Sequence, residues 1–415
     1  MFLDKLKSFF RKNDEKGKIK IEYAGPRNEY YGRVAERYGT LQMIILVLLT
    51  VFVLVSLLIN SEWISYENFY FFVNDFGSYI TDGDSDVEGI IYNTDSFSDF
   101  GIFGNKIAIA GNSGTALYTS SGREVFFDND VIGDPELEIS DPELEISDRI
   151  MILYDAGGKE YRIYNLFTEV YSEITDFQIY GATAENNGSY AIITGDGQHI
   201  TCAKIYNRRF KEIQTVGRNS YIVGVSMTLT GDKTAVLSYD QYDGKFITYL
   251  YLTKTNKNEP YAEITVENAF PLYCAYTERG YINLVCDRKI LSYDSNGKQI
   301  GEYIVEDGYK LLKVESNQYG CIVTVSNGNT NKILMFDKSG KLIYNAEINE
   351  SIEAVSLYEK YIFILSHDKI LRIDSQSGKN TSIARGTNSA AKMLVRDENE
   401  IYLCMDSRIK YIKID

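Results

Sequence analysis

CDRKILSYDSNGKQIGEYIV (286–305), GNTNKILMFDKSGKLIYNAEI (328–348) and SHDKILRIDSQSGKNTSIA (366–384) share one layout. Each has an apolar strand, a turn, then a second strand that ends in an aromatic or aliphatic residue plus Asp. The order x-x-Gly-Lys and a third strand follows. RIMILYDAGGKEYRIYNL (149–166) reads as a further copy, and looser ones run over 106–127, 191–213 and 234–266. The last, EIYLCMDSRIKYIKID (400–415), lacks its third strand.

The turn has a physical logic. Asp155, Asp294, Asp337 and Asp374 can accept backbone N–H bonds inside a tight turn. The Gly that follows, at 158, 297, 340 or 378, is expected to take the positive φ that other residues resist. Taken as equivalent, Tyr118, Tyr154, Tyr206, Leu252, Tyr293, Phe336, Ile373 and Ile412 stand 36, 52, 46, 41, 43, 37 and 39 residues apart. That interval suits a four-stranded propeller blade of about 40–50 residues. The expectation is an all-β fold, a β-propeller of eight four-stranded blades, with seven the alternative. Gly89-Ile90-Ile91-Tyr92 is placed to lend the final blade its missing outer strand, and ring closure removes the free sheet edges.

The YDxxGK turns at Tyr154-Asp155 and Tyr293-Asp294 resemble those of WD40-like and quinoprotein-like propellers. A basic tail, one apolar span and a propeller together resemble an uncharacterised family of single-pass membrane proteins from Gram-positive anaerobes. The resemblance implies a fold and a location, not an activity. Quinoprotein repeats each end in a docking Trp, whereas the single Trp here, Trp63, lies outside the repeats. No cofactor is therefore expected.

Upstream of the repeats, Leu41–Ile59 reads LQMIILVLLTVFVLVSLLI and carries no charge. Nineteen helical residues at about 1.5 Å each approach the roughly 30 Å thickness of a bilayer core. Residues 1–40 hold ten cations against six anions, so the flanking charge predicts that the N-terminus stays inside and the chain beyond lies outside. No small-x-small cleavage site follows, and the segment reads as an uncleaved signal anchor in the cytoplasmic membrane. The expected organisation is a basic cytoplasmic tail (1–40), a transmembrane helix (41–59), an aromatic and acidic juxtamembrane linker (60–87) and an extracytoplasmic propeller (88–415). Phe2, Leu3, Leu6, Phe9 and Phe10 fall at helical spacing; they suit an anionic leaflet or simply belong to a basic tail. The rings between Trp63 and Tyr79 suit a headgroup zone.

A formal charge of −15 argues against nucleic acid as a partner. The five cysteines form no CxxC and read as buried thiols. His199 and His367 read as turn or strand-end residues, with no carboxylate at metal spacing. Gly111-Asn112-Ser113-Gly114 lacks the nucleophile-elbow spacing. DGDSD (82–86) has Val87 where a calcium loop needs Gly. DPELEIS occurs twice, at 134–140 and 141–147. Because strand side chains alternate, both copies cannot pack alike in one strand, and one copy is expected to loop out at the surface. No catalytic, cofactor-binding or metal-binding residue emerges.

The function expected is therefore non-catalytic: a propeller held on the lipid bilayer by 41–59 that binds or scaffolds an envelope or membrane protein. A cell-wall glycan binder, expected to cluster aromatic rings on one face, is the alternative. A glycan-cleaving enzyme is the other, requiring two carboxylates about 5–10 Å apart. A scaffold instead requires a large exposed apolar patch.

Overall fold

The computed structural model describes residues 29–59, 90–92, 99–111, 114–128, 141–257, 259–317, 319–385, 387, 390–405 and 407–414. The chain divides into two compact units, Met1–Ile64 and Ser65–Asp415. In the first, helix α1 runs Glu29–Ile59, so part of the expected tail is already helical. Its stretch Arg37–Val55 is long and apolar enough to cross a membrane, overlapping the expected 41–59. The N-terminal stripe, the aromatic run and the DGDSD segment lie outside the described residues.

In the second unit, eight antiparallel sheets of four strands each make the eight blades expected. In chain order they occupy 99–128, 142–174, 179–218, 221–267, 271–304, 310–348, 354–385 and 390–413. The eighth has only three strands from its own stretch; Ile90–Ile91 supplies the fourth, pairing with Arg408 and Ile409. Tyr92 fastens this seam by donating its hydroxyl to the Met405 carbonyl. An apolar cluster of Ile90, Phe100 and Ile107 against Leu394, Tyr402 and Ile409 then fills the join between last blade and first.

Blade packing explains the sequence pattern. Middle strands such as Lys106–Gly111 and Tyr190–Gly195 are buried at every position, because a neighbouring blade covers each face. Outer strands such as Pro260–Glu267 instead alternate, one face covered and one in solvent. Many tyrosines fill gaps between blades: Tyr190 stacks on Tyr206 at 4.6 Å and meets Tyr161 of blade 2 at 6.2 Å.

The repeat is real, but its phase in blade 2 differs from the one expected. In blades 5 and 6 an Asp-x-x-Gly turn, and in blade 7 its one-residue-longer form Asp374 to Gly378, joins the third strand to the fourth; Tyr154-Asp155 ends the second strand, Met151–Asp155. The true equivalent of Tyr293 is Tyr164, which closes the third strand Glu160–Tyr164. The intervals 36 and 52 then become 46 and 42. Side-chain chemistry agrees. Asp294 Oδ1 accepts N–H bonds from Asn296 and Lys298 of its own turn, and Asp337 does so from Ser339 and Lys341. Asp155 Oδ1 instead accepts the N–H of Asp141, before its own blade's first strand. Positive φ falls on Gly297, Gly340 and Gly378 as expected, but on Gly157 rather than Gly158.

The second DPELEIS copy forms the innermost strand of blade 2, Pro142–Ile146. The first copy, 134–140, lies outside the described residues.

Candidate binding site in the central channel

The innermost strand of each blade borders the central channel, which closes where blade 1 meets blade 8. A cavity of about 660 Å³ occupies it, and all eight blades contribute lining, from Ile102 of blade 1 to Arg396 of blade 8. Concave, centrally placed cavities with a few convergent polar groups are where ligands most often bind.

Backbone irregularity shapes the wall. In blades 3, 4, 5 and 6 the innermost strand carries a bulge at the same place, between Ile179 and Gly181, Ile222 and Gly224, Pro271 and Tyr273, and Leu311 and Lys313. A bulge leaves one residue unpaired and re-aims its side chain. Those residues are Tyr180, Val223, Leu272 and Leu312, exposed by 55%, 41%, 42% and 42%. Val223 and Leu272 line the cavity directly. Four consecutive blades thus present an apolar residue at one level of the ring.

Toward the other end of these strands the lining becomes acidic. Glu185, just past the innermost strand of blade 3, accepts the Ser226 hydroxyl at 3.1 Å and the Met227 N–H at 2.7 Å from blade 4. Ser226 Oγ in turn accepts the Tyr276 N–H of blade 5, so one polar chain ties three blades. Burial outweighs those bonds and pushes the Glu185 carboxyl up to about 7. Glu145 of blade 2 is pushed to about 7 by burial first, then by the charges of Asp99 and Glu143. Glu315 of blade 6 reaches about 7 through burial, against the pull of Lys392. Lys392 of blade 8 is itself paired with Asp99 at 2.7 Å. Asp99 also accepts the Leu144 N–H of blade 2 at 3.1 Å.

A second feature sits where the innermost strands begin. The central hairpin of blade 4, Lys233–Tyr242 and Lys245–Lys254, is twice the length of its counterparts in blade 5. Asp243 and Gly244 turn it with φ of 50° and 73°, the two-residue turn that matches strand twist. Its overhang carries aromatic rings. Tyr239 stacks on Tyr221 at 5.4 Å and meets Phe270 edge-on at 4.9 Å; Phe246 meets Phe270 at 5.0 Å. Tyr242 at the tip is 76% exposed.

The residues singled out in the sequence fall elsewhere. His199 Nδ1 lies 2.6 Å from Asp196 in a blade 3 turn, and His367 lies 3.5 Å from Glu353. All five cysteines are buried free thiols. Among the described residues no three His, Cys, Asp or Glu side chains converge closely enough to hold a metal ion. Neither the bulge residues nor Glu145, Glu185 and Glu315 were picked out from the sequence. The bulges had a signal, the paired apolar residues of Ile-Tyr-Gly (179–181), Ile-Val-Gly (222–224) and Leu-Leu-Lys (311–313), where alternation should hold. The glutamates had none, since which carboxylates meet depends on closure of the ring.

Comparison with known proteins supports the fold. The model described as "Family of unknown function (DUF5711)" matches residues 87–414. No curated protein matches the sequence. A solved structure described as "Crystal structure of the eukaryotic initiation factor" aligns at 12% identity with a TM-score of 0.52, covering 78% of this chain and 88% of that one. Another, "Crystal structure of Kluyvelomyces marxianus Hsv2", aligns at 11% identity and a TM-score of 0.44, covering 63% and 88%. At 12% identity the likeness to the first of these concerns fold alone.

Proposed function

The chain belongs to the DUF5711 family, and for it we propose a membrane-anchored, extracytoplasmic, non-catalytic propeller that binds a protein partner of the cell envelope. The apolar surface where the innermost strands of blades 3–6 begin carries this reading. Tyr180, Val223, Leu272 and Leu312 lie near the start of their innermost strands, the end at which the aromatic hairpin of blade 4 turns, and clustered exposed apolar groups mark interaction sites. Aromatic rings alone would suit a sugar equally well. Here Tyr239 and Phe270 spend ring faces and edges on one another, and three of the four bulge residues are aliphatic, adding nothing to sugar stacking but suiting a protein interface. The apolar stretch Arg37–Val55 and the ten cations preceding residue 41 support the anchor and its orientation.

A photo-crosslinking amino acid placed at Tyr242 in the full-length protein, irradiated in its native membrane, tests the surface. One reproducible protein adduct from Tyr242, absent when the probe sits at Lys379 in a turn at the opposite end of the blades, supports a protein partner. Wall glycan as the Tyr242-dependent adduct would overturn it in favour of sugar binding.

A further inference from the structure

DPELEIS stands twice in succession, at 134–140 and 141–147, without a single difference. The second copy fills the innermost strand of blade 2, with Pro142 opposite Asp155 and Ile146 opposite Met151. Several anchors hold it there. Asp141 gives its N–H to Asp155 Oδ1 at 2.9 Å, and its carbonyl accepts the Ala156 N–H at 2.9 Å. Glu143 accepts the Tyr154 hydroxyl, and the Leu144 N–H reaches Asp99 of blade 1 at 3.1 Å. Leu144 and Ile146 pack on the apolar cluster that joins blades 1 and 2, with Phe103 and Leu117 among it. All these anchoring groups belong to residues 141–146, and residues 134–139 repeat the same six in the same order. Blade 1 and the second strand of blade 2 would meet the same side chains, on the same faces, if the first copy took the place of the second.

The connections permit that replacement. The other six links from one blade to the next span two to five residues, whereas the link into blade 2 has thirteen, 129–141. Installing the first copy would leave six there, 129–134, and move the surplus to 140–150, after the strand. Loop closure costs grow only with the logarithm of length, so the shortened link and the lengthened one nearly offset each other. The strand is also placed to leave, since it pairs on one side only and its other edge borders the channel. What the exchange gives up is one turn. Ser147 donates its N–H and its hydroxyl to the Ile150 carbonyl at 2.9 and 3.1 Å, and accepts the Ile150 N–H at 3.2 Å. Ser140 stands seven residues further back and cannot make that local turn. The observed register is therefore the favoured one, and the other is a minor state.

We propose that the innermost position of blade 2 is a slot for two interchangeable strands, and that the chain slips by seven residues between them. In the observed register Asp134, Glu136 and Glu138 precede the strand, at the end of the blades where the bulge residues of blades 3–6 stand. After the slip Asp141, Glu143 and Glu145 follow the strand, at the opposite end. One step thus carries three carboxylates from one end of the propeller to the other.

Disulfide trapping in the full-length protein in detergent micelles tests this. Leu144 and Leu153 are opposed across the two strands, so Leu144→Cys with Leu153→Cys should crosslink in the observed register. Leu137→Cys with Leu153→Cys is opposed only after the slip. Val131→Cys with Leu153→Cys, from the same link but with no place in the slot, measures chance encounter. Under mild oxidation, peptide mapping should show the 137–153 bond forming roughly tenfold faster than the 131–153 bond, or more. Leu144→Asp, which spoils the second copy, should speed the 137–153 bond by roughly another tenfold and leave the 131–153 bond unchanged. A 137–153 rate no higher than the 131–153 rate would overturn the proposal. Indifference of the 137–153 rate to Leu144→Asp would do so too, because it would report loop collisions. Acceleration of both bonds would mean that the blade had opened rather than exchanged its strand, and would equally overturn it.

Discussion

Glu145→Gln should make the propeller more stable above neutral pH and change little in acid. The carboxyl is raised from 4.5 to about 7, mainly by burial. At 1.36 kcal/mol per pH unit, that difference corresponds to a penalty of about 3 kcal/mol for the ionised form. The sign follows from proton counting. Between pH 4.5 and 7 the folded chain holds a proton that the unfolded chain has released, so native stability falls as pH rises through that window. Below the window both states are protonated and the penalty vanishes. Glutamine keeps the shape without the charge, though its amide still needs partners, so a gain of about 2 kcal/mol at pH 8 is the realistic figure. For a domain of this size that is roughly 3 °C in melting temperature. Thermal unfolding of both proteins at pH 4, 6 and 8 measures it. A difference independent of pH, or a variant less stable at pH 8, would refute the claim that ionising this half-buried carboxyl destabilises the propeller.

Four further outcomes follow from the geometry. Ile90→Ala, at a buried position of the closing strand, should cost about 2–4 kcal/mol in urea unfolding, whereas the neighbouring exposed Ile91→Ala should stay within about 0.5 kcal/mol. Gly340→Ala should cost more than Gly378→Ala, by about 1 kcal/mol or more, although both have positive φ. A Cβ on Gly340 would come within 2.6 Å of Ser292, whereas one on Gly378 meets nothing within 4 Å. Turn carboxyls act oppositely to Glu145: backbone N–H groups of Lys298 and Asn296 hold Asp294 below the usual range, so its contribution persists above pH 4 and is lost on acidification, readable as an acid-titration difference in Asp294→Asn. Because every native cysteine is buried, introduced ones report topology cleanly. Tyr242→Cys should react with an impermeant maleimide in intact cells, and Lys16→Cys only after permeabilisation.

Blade number and closure were legible because they rest on local chemistry that repeats. Asp294, Asp337 and Asp374 each cap a turn through their own backbone, and Ile90–Ile91 stands where a strand is missing. Blade 2 was read one strand out of phase because Tyr154-Asp155 followed by two glycines imitates that turn. Its Asp faces a different partner, Asp141, which no local pattern reveals. Glu143 and Glu145 were hidden for another reason. Their heptapeptide is duplicated, and a duplicated acidic stretch suggests a surface loop until one copy is found beside the channel. The pairing of Glu185 with Ser226 and Met227 spans about forty residues and two blades, so it exists only once the ring is built.

That ring has an order of assembly. Tyr92 reaches a carbonyl 313 residues further along the chain. The first strand made must therefore wait for its partner, and the ring cannot close until Arg408–Lys413 has been synthesised. Blades can form one by one from their own short hairpins, which close within microseconds. Joining the ends, by contrast, demands a contact of very high sequence separation, the kind that slows folding most. Until then Ile90 and the flanks of blades 1 and 8 stay bare, a sticky intermediate at both ends of a growing stack. A cell that makes this protein must either shield those edges or finish the chain quickly. A truncation lacking only Arg408–Lys413 should accordingly aggregate rather than fold as a seven-bladed remnant.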